Sequence, residues 1–156
     1  MDPFIYHFPV ALSHKKLLKK LQNSSTYRIS LERGERREGV LLDTFNGVMF
    51  HLAKILFQFG EMLLLVDLQS GQMIEQISPG EWSVAGDLED GPVASVLKPV
   101  SKLRAFLPVA RVELSLNNGL LLDDEGKTRV RFRHLDIGCG QKTASVGRTQ
   151  YLRGYD

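Results

Sequence analysis

Much that would mark a secreted or membrane protein is missing from this 156-residue chain, which has one cysteine, one tryptophan and no aliphatic run longer than Leu63–Val66. The lone Cys139 rules out an internal disulfide and fits a reducing compartment. It stands in "GCG" with no histidine near it in sequence, so an unactivated thiol is the simpler reading. The aliphatic run falls far short of the roughly 20 residues that span a bilayer. The N-terminus also lacks the basic segment, apolar segment and cleavage site of a secretory signal. The expectation is a cytoplasmic protein with no membrane association.

Nor is there a strong excess of either charge. Twenty Lys and Arg against 18 Asp and Glu leave a net charge of +2, too small to name a partner. The distribution says more. Residues 60–97 hold seven acids and no lysine or arginine, so the rest of the chain carries 20 bases against 11 acids, a balance of +9. That imbalance leaves room for an anion-binding surface. A hydrophobic share of 43% and a charged share of 24% suit a single folded domain over residues 1–156 with a real core.

What the chain has in quantity is strand pattern. "FIYHFP" reads as a short strand ended by Pro9, and Ser13 could cap a helix over "HKKLLKKLQ" with Leu17, Leu18 and Leu21 inward and the lysines outward. From Tyr27 onward, "TYRISLERG", "REGVLLDTF", "KILFQF", "MLLLVDL" and "QMIEQI" form a meander of antiparallel strands, with "GE" and "QSG" as hairpin turns. "SPGEWSVAGDLEDGP" reads as an acidic loop, and "PVASVLKPVSKL" as a helix broken at Pro99, since proline lacks the amide proton a helix interior needs. Strands return in "ARVELSLNN", "GLLLDDEG" and "KTRVRFRHLDI", with a turn at residues 123–126; "GCGQKTASVG" reads as a small-residue loop.

The stretch "KTRVRFRH" poses the functional question. On a strand, successive side chains alternate, so Arg129, Arg131 and Arg133 share one face while Val130, Phe132 and His134 share the other. Facing water, the row is the charged outside of a half-buried strand. Facing a groove or tunnel, three guanidinium groups need an anion, and their planar forks suit phosphate oxygens. A third setting is an interface with another protein domain, where arginine and aromatics are enriched. Arg111 and Arg28, on neighbouring strands, could join the row, and Glu113 could pair with one of these arginines.

Other motifs fail on spacing. "EGKT" lacks the glycine a phosphate-binding loop needs five positions before Gly126, where Leu121 stands. The four histidines, His7, His14, His51 and His134, show no zinc-site spacing. "LLDDEG" lacks the alternating oxygens and closing glutamate of a calcium loop. Ser24, Ser25 and Ser30 have no glycine elbow around them.

Two longer phrases carry a family likeness. "REGVLLDTFNGVMFHLAKILFQF" resembles the Asp-Thr segment of CYTH domains in the triphosphate tunnel superfamily, which ends one strand, crosses a short turn or helix and enters the next. "LRAFLPVARVELSLNNGLLLDDEGKTRVRF" resembles the form of that domain found ahead of CHAD domains, and the final "LRGYD" resembles the phrase leading into the helical CHAD part. The resemblance runs from about Tyr27 to Asp156. It implies a closed antiparallel β-barrel whose charged interior, in active members, holds triphosphate with magnesium or manganese.

The likeness breaks where catalysis would reside. Active members open with a Glu-x-Glu-x-Lys strand, whereas here the first strand is "FIYHF" and the first glutamate is Glu32. Where the family brings a Leu-Arg-x-Arg strand into the tunnel, this chain has Leu56-Phe57-Gln58-Phe59, and "MLLLVDL" supplies no tunnel lysine. An apolar lining is a poor seat for triphosphate, because charge moved into it without partners is strongly unfavourable.

The resulting expectation is an α+β fold, an antiparallel β-barrel of triphosphate-tunnel type, closed or incompletely closed, with a few peripheral helices. Its function would be that of a catalytically degenerate CYTH-like module, without catalytic residues, metal ligands or cofactor. It would bind phosphate or polyphosphate through Arg129, Arg131, Arg133, Arg111 and Arg28, or serve as an interdomain scaffold. The resemblance further implies a bacterial cytoplasm and a C-terminal CHAD-like helical partner, with this chain the N-terminal part of a longer protein. Two alternatives stand beside it. One is an active triphosphatase in which Glu32, Glu35, Glu38 and Asp43 hold magnesium or manganese. The other is a nucleic-acid module using the lysine helix and arginine strand, a weaker reading because one short helix lacks interleaved aromatics.

Overall fold

The fold comes from a computed structural model that describes residues 5–9, 14–24 and 27–152. In chain order the elements are β1 (Ile5–Pro9), α1 (His14–Ser24), β2 (Arg28–Leu31), β3 (Glu35–Asp43), α2 (Val48–His51), β4 (Lys54–Phe59), β5 (Met62–Asp67), β6 (Met73–Ile77), a 3-10 turn at Ala85–Asp87, α3 (Pro92–Leu97), β7 (Leu107–Leu122), β8 (Thr128–Cys139) and β9 (Lys142–Tyr151). The chain divides into two units, residues 1–36 with 113–156, and residues 37–112.

In the first unit, β8 lies between the second half of β7 and β9, all antiparallel. β1 extends the sheet from β9, and β2 pairs with β7. The alternation expected for β8 holds over its first half: Val130, Phe132 and His134 are buried, while Arg131 is exposed. Beyond that point Leu135 and Ile137 are buried as well, so the strand turns apolar on the face that began with arginines. α1 follows its expected amphipathic pattern, with Leu17, Leu18 and Leu21 half-buried and Lys15, Lys16, Lys19 and Lys20 exposed. The proposed cap, Ser13, lies outside the described residues.

Two assignments are corrected. "ARVELSLNN" and "GLLLDDEG" are not separate strands, because β7 runs through Gly119 as one strand of 16 residues. Gly119 is tolerated there because the Phe132 ring of the neighbouring strand lies over it, and a Cβ would sit only 2.3 Å from that ring. "GCGQKTASVG" is not a loop. Gly140, at φ 60°, opens a two-residue turn that pairs Cys139 with Lys142 and sends β9 back along β8. A positive φ at the first turn residue is what a tight hairpin needs, and glycine adopts it without strain. The turn at residues 123–126 is found as expected, closed by the Gly126 amide donating to the Asp123 carbonyl at 3.0 Å. "EGKT" is therefore part of a hairpin.

The second unit is the meander β3–β4–β5–β6, four of the five strands expected in it; "TYRISLERG" does not join them, because β2 pairs with β7 instead. One face of it carries Leu42, Leu56, Leu63 and Leu65, which form a core with Met49 of α2, Val93 and Leu97 of α3, and Val100 and Phe106. α3 begins at Pro92 and stops two residues before Pro99, as the missing amide dictates. Its open first-turn amides are met from the sheet: the buried Gln76 side-chain oxygen accepts from Val93 at 2.9 Å and Ala94 at 3.1 Å, while its amide donates to the Glu89 carbonyl.

α2 is held similarly. Gly47 stands at its N-cap and offers no side chain, so the task falls to residues at the end of β3. The Asp43 carboxylate accepts from the amides of Thr44 (2.7 Å), Met49 (2.9 Å) and Phe50 (3.2 Å), and the Thr44 hydroxyl accepts from Val48 (3.0 Å). These bonds satisfy donors that a helix N-terminus otherwise leaves open. The Asp-Thr pair is thus a capping device here.

Candidate anion-binding groove

The face of β8 that carries the arginines lines a groove of about 410 Å³ in the first unit, a volume within the range of small-ligand pockets. The register shows how it is assembled. One row runs Ser30–Leu120–Arg131–Gln150 across β2, β7, β8 and β9, and the next runs Asn118–Arg133–Arg148. Adjacent strands lie about 4.8 Å apart and every second residue returns to the same face. Arg131, Arg133 and Arg148 are therefore neighbours in space, although Arg148 is 15 positions from Arg133 in the chain.

The groove's lining also includes Glu32 and Thr128. Glu32 is set beside Asn118 by its amide, which donates to the Asn118 carbonyl at 3.1 Å. The Asn118 side-chain oxygen in turn accepts from Arg133 Nε at 3.0 Å and fixes the plane of that guanidinium. With three arginines against one glutamate, the lining carries a net charge of +2. Such a set offers guanidinium forks, a hydroxyl and side-chain amides to the oxygens of a phosphoryl or similar anion.

Two of the five arginines named from the sequence, Arg131 and Arg133, are among the groove's lining residues. Arg129 is drawn aside by a bulge, where the register of β7 and β8 shifts between Leu121 and Leu122. Its Nε donates to Asp123 at 2.6 Å. Amide donation from Lys127 and this guanidinium together hold the Asp123 carboxyl below its ordinary value. Arg28 is exposed at the far end of β2, opposite Leu122, and Arg111 is exposed on the portion of β7 that belongs to the second unit. Neither lines the groove. Arg36 is 3.9 Å from Glu113, an exposed pair, so Glu113 meets an arginine other than those expected.

Arg148 and Gln150 were missed because the first part of β9 was read as loop and "RTQY" was given no strand. A signal was present: Thr143, Val146, Thr149 and Tyr151 supply β-branched and aromatic residues, and Gly140 marks the turn. The small residues between them masked it.

In the second unit, the face of the meander opposite the helix-packed core carries Leu41, Ile55, Phe57, Phe59, Leu64 and Val66. Phe57 is 1% exposed, and its ring centroid lies 6.1 Å from that of Phe59. The residues of β4, β5 and β6 on this face include no lysine or arginine, but Glu75 of β6 lies on it and Arg37 of β3 reaches it, donating to the Met62 sulfur. Lys54 points to the other face, where it pairs with Asp67. Partial burial alone would raise the Asp67 pKa, but Lys54 and the amides of Ser70 and Gln69 outweigh it and lower it to about 2. Among the described residues, no three His, Cys, Asp or Glu side chains come together to hold a metal ion. No described helix is long and apolar enough to cross a membrane.

The antiparallel, strand-rich α+β arrangement has counterparts among solved structures. Fifteen solved chains match. One, from Bacillus halodurans and described as a candidate adenylate cyclase, superposes with a TM-score of 0.53 at 9% identity, covering 96% of this chain and 80% of its own. At that identity the likeness establishes the fold, which is the one expected from the sequence. No protein-family model matches the chain, and no curated protein matches it.

Proposed function

We propose that this chain is a noncatalytic, CYTH-like anion-binding module that takes phosphate or short polyphosphate in the groove of its first unit. The observation that carries the reading is the convergence of Arg131, Arg133 and Arg148 from two neighbouring strands on one groove. Two further features support it. Asp43, which the catalytic alternative would use as a metal ligand, is engaged by three backbone amides. The sheet face bearing Phe57 and Phe59 is mostly apolar, with Arg37, which donates to Met62, as the cation seen on it, where a tunnel enzyme would need several.

The test is calorimetric titration of the purified chain with tripolyphosphate. Joint replacement of Arg131, Arg133 and Arg148 by Gln is expected to weaken binding at least about tenfold and to flatten its salt dependence, because fewer screened charges remain. Arg111→Gln should leave it unchanged. Binding unaffected by the triple replacement would end the proposal. Steady phosphate release from tripolyphosphate with magnesium or manganese would replace the module by an enzyme.

A further inference from the structure

A different feature, in the second unit, points to a lipid surface. Exposed apolar side chains are normally scattered, yet here they collect at the tips of two turns. Phe45 lies inside the turn closed by the Gly47 amide donating to the Thr44 carbonyl at 2.9 Å, and it is 95% exposed. Leu103 lies inside the turn closed by Arg104 donating to Ser101 at 2.9 Å, and it is 88% exposed. The two turns are clamped together, because Arg104 Nη1 donates to the Asn46 side-chain oxygen at 2.6 Å.

Phe50, 80% exposed, stands next to this clamp on α2, whose first turn is tied to the same strand end by Asp43. The Leu68 amide donates to the Ala53 carbonyl at 2.8 Å, which brings the exposed Leu68 and Leu52 to the same end of the meander. Phe45, Phe50, Leu52, Leu68 and Leu103 thus gather there.

Charge selects among occupants. Residues 44–53 and 98–106 contain no acid, while Lys98, Lys102 and Arg104 flank Leu103 in sequence and His51 follows Phe50. Of the acids beside these segments, Asp43 is held by the α2 amides and Asp67 by Lys54, and Asp87 is exposed on the turn whose Gly86 amide donates to the Lys102 carbonyl. Apolar side chains on projecting turns, flanked by lysine and arginine, form the pattern that enters the headgroup layer of an anionic membrane: rings and leucines dip into the acyl boundary while cations meet lipid phosphates. We infer that this end of the second unit docks on an anionic lipid surface, peripherally and without crossing it. The inference is independent of the groove.

Flotation of the full chain with vesicles tests it, using phosphatidylcholine alone or mixed with phosphatidylserine. The chain is expected to float with the mixed vesicles and not with the neutral ones. The pair Phe45→Ser and Leu103→Ser should lower the bound fraction at least about tenfold, and Lys102→Glu at least about fivefold. Phe45 and Leu103 are exposed, and circular dichroism checks that the variants fold. Joint Arg131, Arg133 and Arg148→Gln replacement should leave flotation intact, as should Gln at Lys15, Lys16, Lys19 and Lys20. The inference is overturned by absence of flotation, by loss traced instead to those arginines or lysines, or by flotation indifferent to Phe45 and Leu103. Self-association abolished by the serine pair, without vesicle binding, would replace it with a contact between copies of the chain.

Discussion

Replacing Asp43 separates a structural carboxylate from a catalytic one. In the structure its two oxygens accept from Thr44, Met49 and Phe50, and the latter two amides belong to the first turn of α2. Met49 is buried in the core of the second unit, so loosening this turn also disturbs apolar packing. A capping residue is worth about 1 kcal/mol, and hydrogen bonds to a charged acceptor about 1.5–3 kcal/mol. Because Thr44 still serves Val48, Asp43→Ala is expected to cost about 2 kcal/mol. For a chain of this length that is a fall of about 4–8 °C in melting temperature.

Asp43→Asn keeps an oxygen for Thr44 and Met49 but turns an amide toward the Phe50 N–H, so its cost should be intermediate, about 1 kcal/mol. Urea titration followed by circular dichroism, with thermal melting beside it, measures both. A change below about 0.5 kcal/mol for the alanine variant would refute the capping argument. Metal-dependent stabilisation that disappears in the asparagine variant would revive Asp43 as a ligand.

Two smaller predictions accompany it. The Asp67 pKa lies at about 2, below its ordinary 3.8, so the Lys54–Asp67 pair contributes stability that is complete above about pH 4 and is lost as pH falls toward about 2. Discounted for the solvent that still reaches the pair, the contribution is about 1 kcal/mol. The urea midpoints of wild type and Asp67→Asn should converge over that window, and a gap independent of pH would count against the assignment. Gly119→Val places branched carbon against the Phe132 ring, already 2.3 Å from an ideal Cβ, and is expected to destabilise the first unit by about 1–3 kcal/mol while weakening tripolyphosphate binding. Wild-type melting and binding in that variant would show that the ring yields without cost.

Periodicity along the chain was enough to determine the hairpins β4–β5–β6, the amphipathic α1 and the alternation of β8, because each depends on neighbours two to four positions away. The triphosphate-tunnel type of fold came from the resemblance of the Asp-Thr and "DDEGK" phrases to CYTH domains, not from periodicity. Long-range arrangement decided the rest. Pairing with β8 made "KTASVGRTQY" a strand and carried Arg148 to Arg133, while the bulge turned Arg129 to Asp123. Asp43 reads in the sequence as part of the Asp-Thr phrase and, in the catalytic alternative, as a metal ligand; only the path of the chain brings the amides of residues six and seven positions later back to it. Side-chain chemistry is written residue by residue, but which groups share a face depends on register and burial, and those are settled by the packing of distant segments.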